Sequence, residues 1–303
     1  MKKLIVGTRG SKLALRQTEL FMSALAAAQP AVSVERRIIK TKGDKILDHP
    51  LAQIDDKGLF TREIESALLS GEIDAAVHSL KDLPTEDTPG LTLAAVMPRE
   101  DPHDMLITPD GVTLSELKQG ARIGTGSPRR AAQIAMARPD CRCTDIRGNV
   151  DTRLRKLMES GDYDAIILAR AGLNRLGLLD ERMRELEFSL LLPAPGQGAM
   201  TVQCRANDDE TMSMIGQLDH ADTRAAVTAE RAFLKYTEGG CHVPLGAYAE
   251  VKNGAMTMDA ILATGDGSFF VRHRVGGNPA DAANLGVLMG REIKARDTDR
   301  KLF

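Results

Sequence analysis

The hydrophobic positions of the chain fall into short continuous runs, separated by longer stretches in which apolar residues recur at helical spacing. Runs at 4–6, 34–39 and 73–77 predict strands. The stretches 13–25 and 61–69 predict amphipathic helices. This alternation of strands with helices predicts an α/β fold with mainly parallel sheets.

Two parts of the chain resemble each other. The sequence at 5–11 is similar to that at 123–128, and the sequence at 70–77 is similar to that at 160–167. Because the order is preserved, we expect two α/β halves of one design. In each half a strand is followed by a Gly/Ser turn and then by a helix, and Ser11 is the predicted N-cap of the helix in the first half. Free N–H groups and the positive end of a helix dipole therefore meet at each of these turns. Two such halves predict a cleft for a negatively charged ligand.

Proline- and glycine-rich stretches around residues 97–102 and 191–198 predict linkers on either side of the second half. The second half is therefore interpreted as an inserted domain. Beyond residue 219 the repeat ends, and a helix with alternating strand patterns predicts a smaller α+β domain. The expected domains are 1–97 with 199–216 (domain 1), 103–192 (domain 2) and 219–303 (domain 3).

Composition narrows the function. The chain has 303 residues, 40 of them basic and 42 acidic, with a formal net charge of −2. This balance disfavours a general nucleic-acid binder, and the absence of tryptophan disfavours base stacking. The apolar runs are too short to span a membrane, and the first residues are interpreted as a strand rather than a signal peptide. Four cysteines without a disulfide pattern favour a reducing, cytoplasmic compartment.

Arginines are concentrated where strands are expected to end and helices to begin. Arg129 and Arg130 follow Ser127, a predicted N-cap, and Arg147 and Arg153 follow the next strand. Ligands of open α/β sheets bind at such strand ends, and the guanidinium fork matches carboxylates and phosphates. A solvated surface position is an equal alternative for any one of them, but for four clustered arginines binding is favoured.

Three further motifs could carry chemistry. Asp82 beside Lys81 at a strand end is a candidate acid/base or ion-pair group, although Asp-Leu-Pro also fits a simple strand end. Cys241 in a glycine-rich turn suits a thiolate nucleophile or an attachment point, with an inert buried thiol as the alternative. Cys141 and Cys143 suggest zinc, but scattered histidines leave the ligand set incomplete, so we interpret both as structural and expect no metal.

Taken together, six motifs resemble the hydroxymethylbilane synthase family, also called the porphobilinogen deaminase family. They are GTRGSKLAL at 7–15, HSLKDLP at 78–84, GTGSPRR at 124–130, IRGNVDTRL at 146–154, PAPGQG at 193–198 and GGC at 239–241. They occur in order over nearly the whole chain. The resemblance implies two domains similar to type II periplasmic binding proteins around a cleft, plus a C-terminal α+β domain. His242 and Arg170 depart from the family pattern, and Arg170 could add a further charge to the cleft.

The resemblance also implies a reaction. Enzymes of this family join four porphobilinogen molecules with loss of ammonia and release linear hydroxymethylbilane by hydrolysis. Growth starts on a dipyrromethane cofactor held as a thioether, here on Cys241, and Asp82 is the implied catalytic carboxylate. Residues 42–57 are a candidate lid.

The remaining implied roles are assigned by position. The implied cofactor-binding residues are Cys241, Ser79, Lys81, Asp82, Thr125, Ser127, Arg129, Arg130, Asp145, Arg147 and Gly148. The implied substrate-binding residues are Arg9, Ser11, Phe60, Arg147, Arg153, Arg175 and Gln197. Porphobilinogen is the expected partner, without nucleic acid or membrane, and the chain is expected to be a monomer.

A second hypothesis is a non-catalytic anion receptor or effector-binding domain of the periplasmic-binding-protein type, because that fold alone does not determine function. Cys241 on its glycine turn, Asp82 and the third domain argue against it.

Overall fold

The computed structural model describes residues 3–45, 61–237 and 244–303. The first elements in chain order are β1 (Lys3–Thr8), α1 (Lys12–Ala28), β2 (Ser33–Ile38), α2 (Lys42–Lys45), α3 (Arg62–Leu69), β3 (Ala75–Ser79), β4 (Leu91–Val96), β5 (Asp104–Ile107), β6 (Arg122–Gly124), α4 (Pro128–Ala137), β7 (Arg142–Thr144) and α5 (Val150–Glu159). Those that follow are β8 (Ala165–Ala169), α6 (Arg170–Arg175), β9 (Met183–Leu186), β10 (Met200–Arg205), α7 (Asp209–Gly216), α8 (Ala221–Tyr236), β11 (Leu245–Lys252), β12 (Ala255–Ala263), β13 (Phe270–Gly277) and α9 (Ala282–Arg296).

The chain divides into two compact units. The first contains the described residues up to 100 together with 198–224, and the second contains 101–197 together with the described residues from 225 onward. The domain boundaries expected from the sequence stay a prediction.

The first unit is built on a five-stranded sheet in the order β2-β1-β3-β10-β4. Neighbouring strands are parallel except that β10 runs antiparallel to both β3 and β4. Phe21 and Leu25 of α1 pack with Ile215 of α7 on one face of the sheet, whereas Ile64 and Leu68 of α3 pack on the other. The sheet is thus covered by helices on both faces, as its mainly parallel strands require.

The second unit contains a sheet of the same design, in the order β7-β6-β8-β5-β9. Here β5 is the strand that runs antiparallel to both of its neighbours. Ile134 of α4 packs on one face and Leu157 of α5 on the other. The same unit also holds the antiparallel sheet β11-β12-β13, against which Phe233 of α8 and Met289 of α9 are buried. These sheets confirm the predicted fold class.

The internal repeat extends to individual hydrogen bonds. In the first unit, the Asp74 carboxylate accepts from the Ile5 backbone N–H at 2.9 Å. In the second unit, the Asp164 carboxylate accepts from the Arg122 backbone N–H at 2.8 Å. The predicted strand 73–77 begins two residues late, as β3, because the Asp74 side chain and backbone first close the turn onto β1. The two aspartates fix equivalent strands at the amino edge and leave the opposite edge to the loops.

Candidate active site

In the first unit, the candidate residues lie where parallel strands β1 and β3 end side by side. Arg9 and Ser11 follow β1, and the Ser11 hydroxyl caps α1 by accepting from the Ala14 N–H at 3.2 Å, as predicted. Ser79 ends β3, and its hydroxyl accepts from the Gln17 side-chain amide at 2.9 Å. The carboxyl edge of this sheet therefore carries polar groups on both loops.

Asp82 is exposed on a short 3-10 turn, Leu80–Asp82, directly after β3. Leu80 is buried, and its N–H donates to the Ala199 carbonyl at 3.1 Å. The Leu83 N–H closes the turn on the Leu80 carbonyl, also at 3.1 Å. An anchored turn thus presents a solvent-accessible carboxylate from a fixed backbone, the geometry that acid/base work requires.

His78 lies beneath this turn and was assigned no role from sequence. Burial lowers the pKa of its imidazole from 6.5 to about 4, the Arg9 charge acts in the same direction, and a hydrogen bond with Gln203 opposes the shift. The imidazole is therefore neutral near pH 7.

In the second unit, two loops meet at the corresponding edge, after β6 and β7. The Thr125 N–H donates to the Thr144 carbonyl at 2.8 Å, and the Thr125 hydroxyl accepts from the Ser127 N–H at 3.2 Å. A Cβ on Gly126 would lie 2.8 Å from an Asp145 carboxylate oxygen, so a larger residue there would displace the Asp145 side chain. Thr125, Ser127 and Asp145 therefore lie close together in the loops after β6 and β7.

The loop after β7 holds two of the predicted arginines by local contacts. Arg147 Nε donates to the exposed Asp145 carboxylate at 2.8 Å. Arg153 Nε donates to the Gly148 carbonyl at 2.8 Å. Gly148 has a φ of 113°, and a Cβ there would lie 2.6 Å from Thr152, so this residue must be glycine. Both arginines remain partly exposed.

Arg129 and Arg130 differ from these because their side chains are only 5% and 7% exposed. Pro128 opens α4 and Ser127 is its N-cap, as predicted, although the Ser127 hydroxyl makes no capping bond. Both guanidinium groups contact Asp104, a fully buried carboxylate. Gln197 is buried in the same cluster.

Sequence reasoning did not identify Asp104. The available signal was a single carboxylate that opens the otherwise apolar strand β5.

Arg170, a departure from the family pattern, forms ion pairs with Asp101 and Glu185. Its positive charge is therefore balanced within the second unit. His103 Nδ1 also contacts Asp101 at 2.6 Å, and the potential ligand atoms of Asp101, His103 and Glu185 lie within 4.8 Å of one another. With the Arg170 guanidinium on both carboxylates, a salt-bridge network accounts for this group. Arg175 ends α6, after β8.

Several predicted residues lie outside the described part of the chain. They are Phe60, Cys241, His242 and positions 46–57 of the candidate lid. Within the described residues, no helix is both long and apolar enough to cross a membrane.

Strand-end loops that carry arginines, small polar residues and an exposed carboxylate are typical of α/β proteins that bind anions. Family models specify the class further. The model of the porphobilinogen deaminase, dipyromethane cofactor binding domain, matches residues 4–213, and that of the porphobilinogen deaminase, C-terminal domain, matches residues 224–295.

Curated relatives agree with the family models. A porphobilinogen deaminase of Trichlorobacter lovleyi is 52% identical over 97% of this chain and 94% of its own length. One from Syntrophotalea carbinolica is 48% identical over 99% of this chain and 95% of its own. The effector-binding domain of BenM with benzoate is a solved structure with 14% identity and a TM-score of 0.43, covering 71% of this chain and 91% of its own. The fold assignment rests on the strand order rather than on that structure.

The chain belongs to the porphobilinogen deaminase family. It is a transferase of tetrapyrrole and heme biosynthesis that condenses porphobilinogen into linear hydroxymethylbilane on a dipyrromethane cofactor. The family, activity and cofactor predicted from the motifs are confirmed.

The described residues of the second unit fit a cofactor with carboxylate arms. Two guanidinium groups share the single Asp104 carboxylate, so one positive charge is not balanced within this trio. Arg129 Nε is buried and has no hydrogen-bond acceptor in the described part of the chain. Positive charge and donor capacity in a dry site favour an anionic group.

Proposed function

We propose that Asp82 is the catalytic carboxylate of the condensation. The observation that carries this proposal is its exposed position on the anchored turn after β3. Loss of ammonia from porphobilinogen leaves an electron-poor pyrrole whose N–H is more acidic and positively polarised. A fixed carboxylate within hydrogen-bond reach stabilises this charge more in the transition state than in the ground state.

Asp82 also transfers protons in this proposal. Its carboxyl group gives a proton to the departing amine and accepts one from the ring that has been attacked. Because the turn holds the backbone, a longer side chain displaces the charge, so we expect Asp82→Glu to retain little turnover.

Dipyrromethane supplies the pyrrole on which the chain grows. In our proposal Cys241 holds it through a thioether. We assign Ser79, Lys81, Thr125, Ser127, Asp145 and Gly148 to hydrogen bonding of the cofactor. We assign Arg129 and Arg130 to retention of the cofactor, and Arg147 and Arg153 to the elongating product. Arg9, Ser11, Phe60, Arg175 and Gln197 complete the proposed set for substrate.

The carboxylates of substrate and product explain this use of arginine. Each added pyrrole brings an acetate and a propionate arm. A charge-assisted contact is worth about 1.5–3 kcal/mol, which is about tenfold to a hundredfold in binding. Local arginine clusters therefore hold a polyanion without a basic excess in the whole protein.

The attachment of the cofactor is tested by intact mass. We expect Cys241→Ser to lack the mass of dipyrromethane and to be inactive. The matched controls Cys141→Ser, Cys143→Ser and Cys204→Ser should keep both mass and activity. Burial raises the pKa of Cys143 and of Cys204 to about 11, so neither thiol is a ready nucleophile. An adduct that persists in Cys241→Ser would refute the assignment.

We further propose that the protein acts as a cytoplasmic monomer without nucleic-acid or membrane partners. Its net charge of −2 and the pattern of its cysteines support this. Sedimentation of the purified protein at several concentrations tests the monomer, because a dimer would shift with dilution.

A further inference from the structure

Asp104, the first residue of β5, is a fully buried carboxylate with four close contacts to side-chain donors. One oxygen accepts from Arg130 Nη2 at 2.6 Å, from Arg130 Nε at 3.2 Å and from the Gln197 amide at 2.9 Å. The other oxygen lies 2.8 Å from Arg129 Nη2. A single carboxylate therefore accepts hydrogen bonds from one guanidinium and one amide and forms an ion pair with a second guanidinium.

The Nη1 atoms of both arginines donate to backbone carbonyls. Arg130 Nη1 donates to Ile167 of β8 at 2.9 Å. Arg129 Nη1 donates to Leu192 at 2.5 Å, and the Gln133 amide donates to the same carbonyl at 3.1 Å. These contacts connect α4 to β8 and to the stretch before β10. Each guanidinium nitrogen of Arg130 thus makes one contact within the protein, each Nη retains a second N–H, and Asp104 sets the orientation of the group.

Asp104 is also well placed to act on the site. Its register partner in β8 is Ala169, the last residue of that strand, so the carboxylate lies at the edge where α6 begins. The arginines that it holds belong to the first turn of α4, directly after the Thr125 and Ser127 loop. Any movement of the two guanidinium groups therefore occurs beside that loop.

We propose that Asp104 is a positioning residue for cofactor loading, which holds Arg129 and Arg130 in the orientation that receives the carboxylate arms of dipyrromethane. The inference rests on the proposed function. Two guanidinium groups against one carboxylate leave positive charge for an anion, whereas the shared carboxylate keeps both groups from rotating away. Such preorganisation lowers the cost of binding.

The alternative is that Asp104 only stabilises the fold. Asp104→Asn separates the two explanations because it keeps the shape of the side chain but replaces one acceptor oxygen with an N–H donor. That donor faces a guanidinium, which then loses its fixed orientation. Asp104→Glu keeps the charge and both acceptors, and should rescue loading in part.

The matched control is Asp164→Asn. Asp164 is a carboxylate of the same unit that accepts from the Arg122 N–H at the opposite, amino-terminal edge of the same sheet. Its loss should lower stability without changing cofactor loading.

Full-length protein made in cells that lack porphobilinogen would be incubated with graded porphobilinogen and weighed intact. All measurements would be made below the onset of unfolding. For Asp104→Asn we expect the concentration for half-maximal loading to rise about tenfold or more, a loss on the order of one charge-assisted contact. Asp104→Glu should fall between this variant and the wild type, and Asp164→Asn should match the wild type.

The inference would be overturned if Asp104→Asn and the wild type required the same porphobilinogen concentration for half-maximal loading. It would also be overturned if this concentration rose as much in Asp164→Asn as in Asp104→Asn. If the wild type itself gains no mass, the proposed attachment fails instead. If Asp104→Asn does not fold, Asp104→Glu decides, since it keeps the charge but moves the carboxylate relative to both guanidinium groups. A raised porphobilinogen concentration for half-maximal loading in that variant supports the inference, and a concentration equal to that of the wild type refutes it.

Discussion

Replacing His78 with asparagine should remove a specific pH dependence of stability. The imidazole is 7% exposed at the end of β3. Burial is the main cause of its low pKa, about 4 instead of 6.5. Arg9 lowers it further, and Gln203, which donates to Glu65 of α3 at 3.3 Å, opposes the shift. Among the described residues, none forms a hydrogen bond with His78 Nε2. The folded protein therefore does little to stabilise a proton on that atom.

The sign of the effect follows from the two pKa values. Because the folded-state pKa of His78 is below that of the unfolded chain, the unfolded chain takes up a proton first as the pH falls. The contribution of neutral His78 to the free energy of unfolding is fully present above about pH 6.5 and is lost as the pH falls towards 4. The loss in the free energy of unfolding is about 2 kcal/mol by about pH 5 and about 3 kcal/mol by about pH 4.

The assay is urea unfolding of the wild type and His78→Asn between about pH 7.5 and pH 5. Carboxylates titrate in both proteins, so the difference between their free energies of unfolding isolates His78. We expect the variant to be less stable at pH 7.5 and the difference to change by about 2 kcal/mol in its favour by pH 5. His273→Asn, at a partly exposed histidine of β13, controls for the loss of an imidazole. A difference that stays constant with pH would refute the reasoning.

Two further substitutions test separate parts of the structure. Asp82→Ala should keep the unfolding temperature, because the side chain is exposed, but should lose about 10²–10⁴-fold in porphobilinogen turnover; turnover close to that of the wild type would remove Asp82 from the mechanism. Gly198→Ala should lower the free energy of unfolding by more than Gly71→Ala. Both glycines have positive φ, but only a Cβ at Gly198 meets a backbone atom, the Glu100 carbonyl oxygen at 2.2 Å. Equal urea midpoints for the two variants would show that the backbone at Glu100 moves to accommodate the added Cβ without loss of stability.

Local patterns predicted the parts of this fold that depend on neighbouring residues. The two Gly/Ser turns follow from the sequence because strand, turn and helix start are encoded within about ten residues. The antiparallel strands β5 and β10 were not predicted. Each follows a linker, and which sheet edge a strand joins depends on contacts distant in sequence.

The candidate site likewise contains residues that local sequence could locate and residues whose surroundings depend on distant contacts. Asp82 and Arg147 could be assigned to strand ends from the sequence, since the carboxyl ends of parallel strands share one edge. The burial of Arg129 and Arg130 of α4 could not be predicted, because it depends on Asp104 of β5, more than twenty residues away in the chain. A motif identifies a residue type at a position, but the electrostatic environment of that residue comes from tertiary packing.

The chain has slightly more acidic than basic residues, yet positive charge is concentrated in one cluster. The distribution of the carboxylates explains this concentration. Away from the candidate site, acidic groups are plentiful around arginine: Arg205 contacts both Asp74 and Asp208. In the α4 cluster the ratio is reversed, because Arg129 and Arg130 share Asp104. Burial lowers the pKa of Arg129 from its usual value, and Asp104 opposes this shift. Contacts to that one carboxylate orient both guanidinium groups. We therefore propose that local charge imbalance in a dry site, and not net charge, binds the carboxylates of the cofactor.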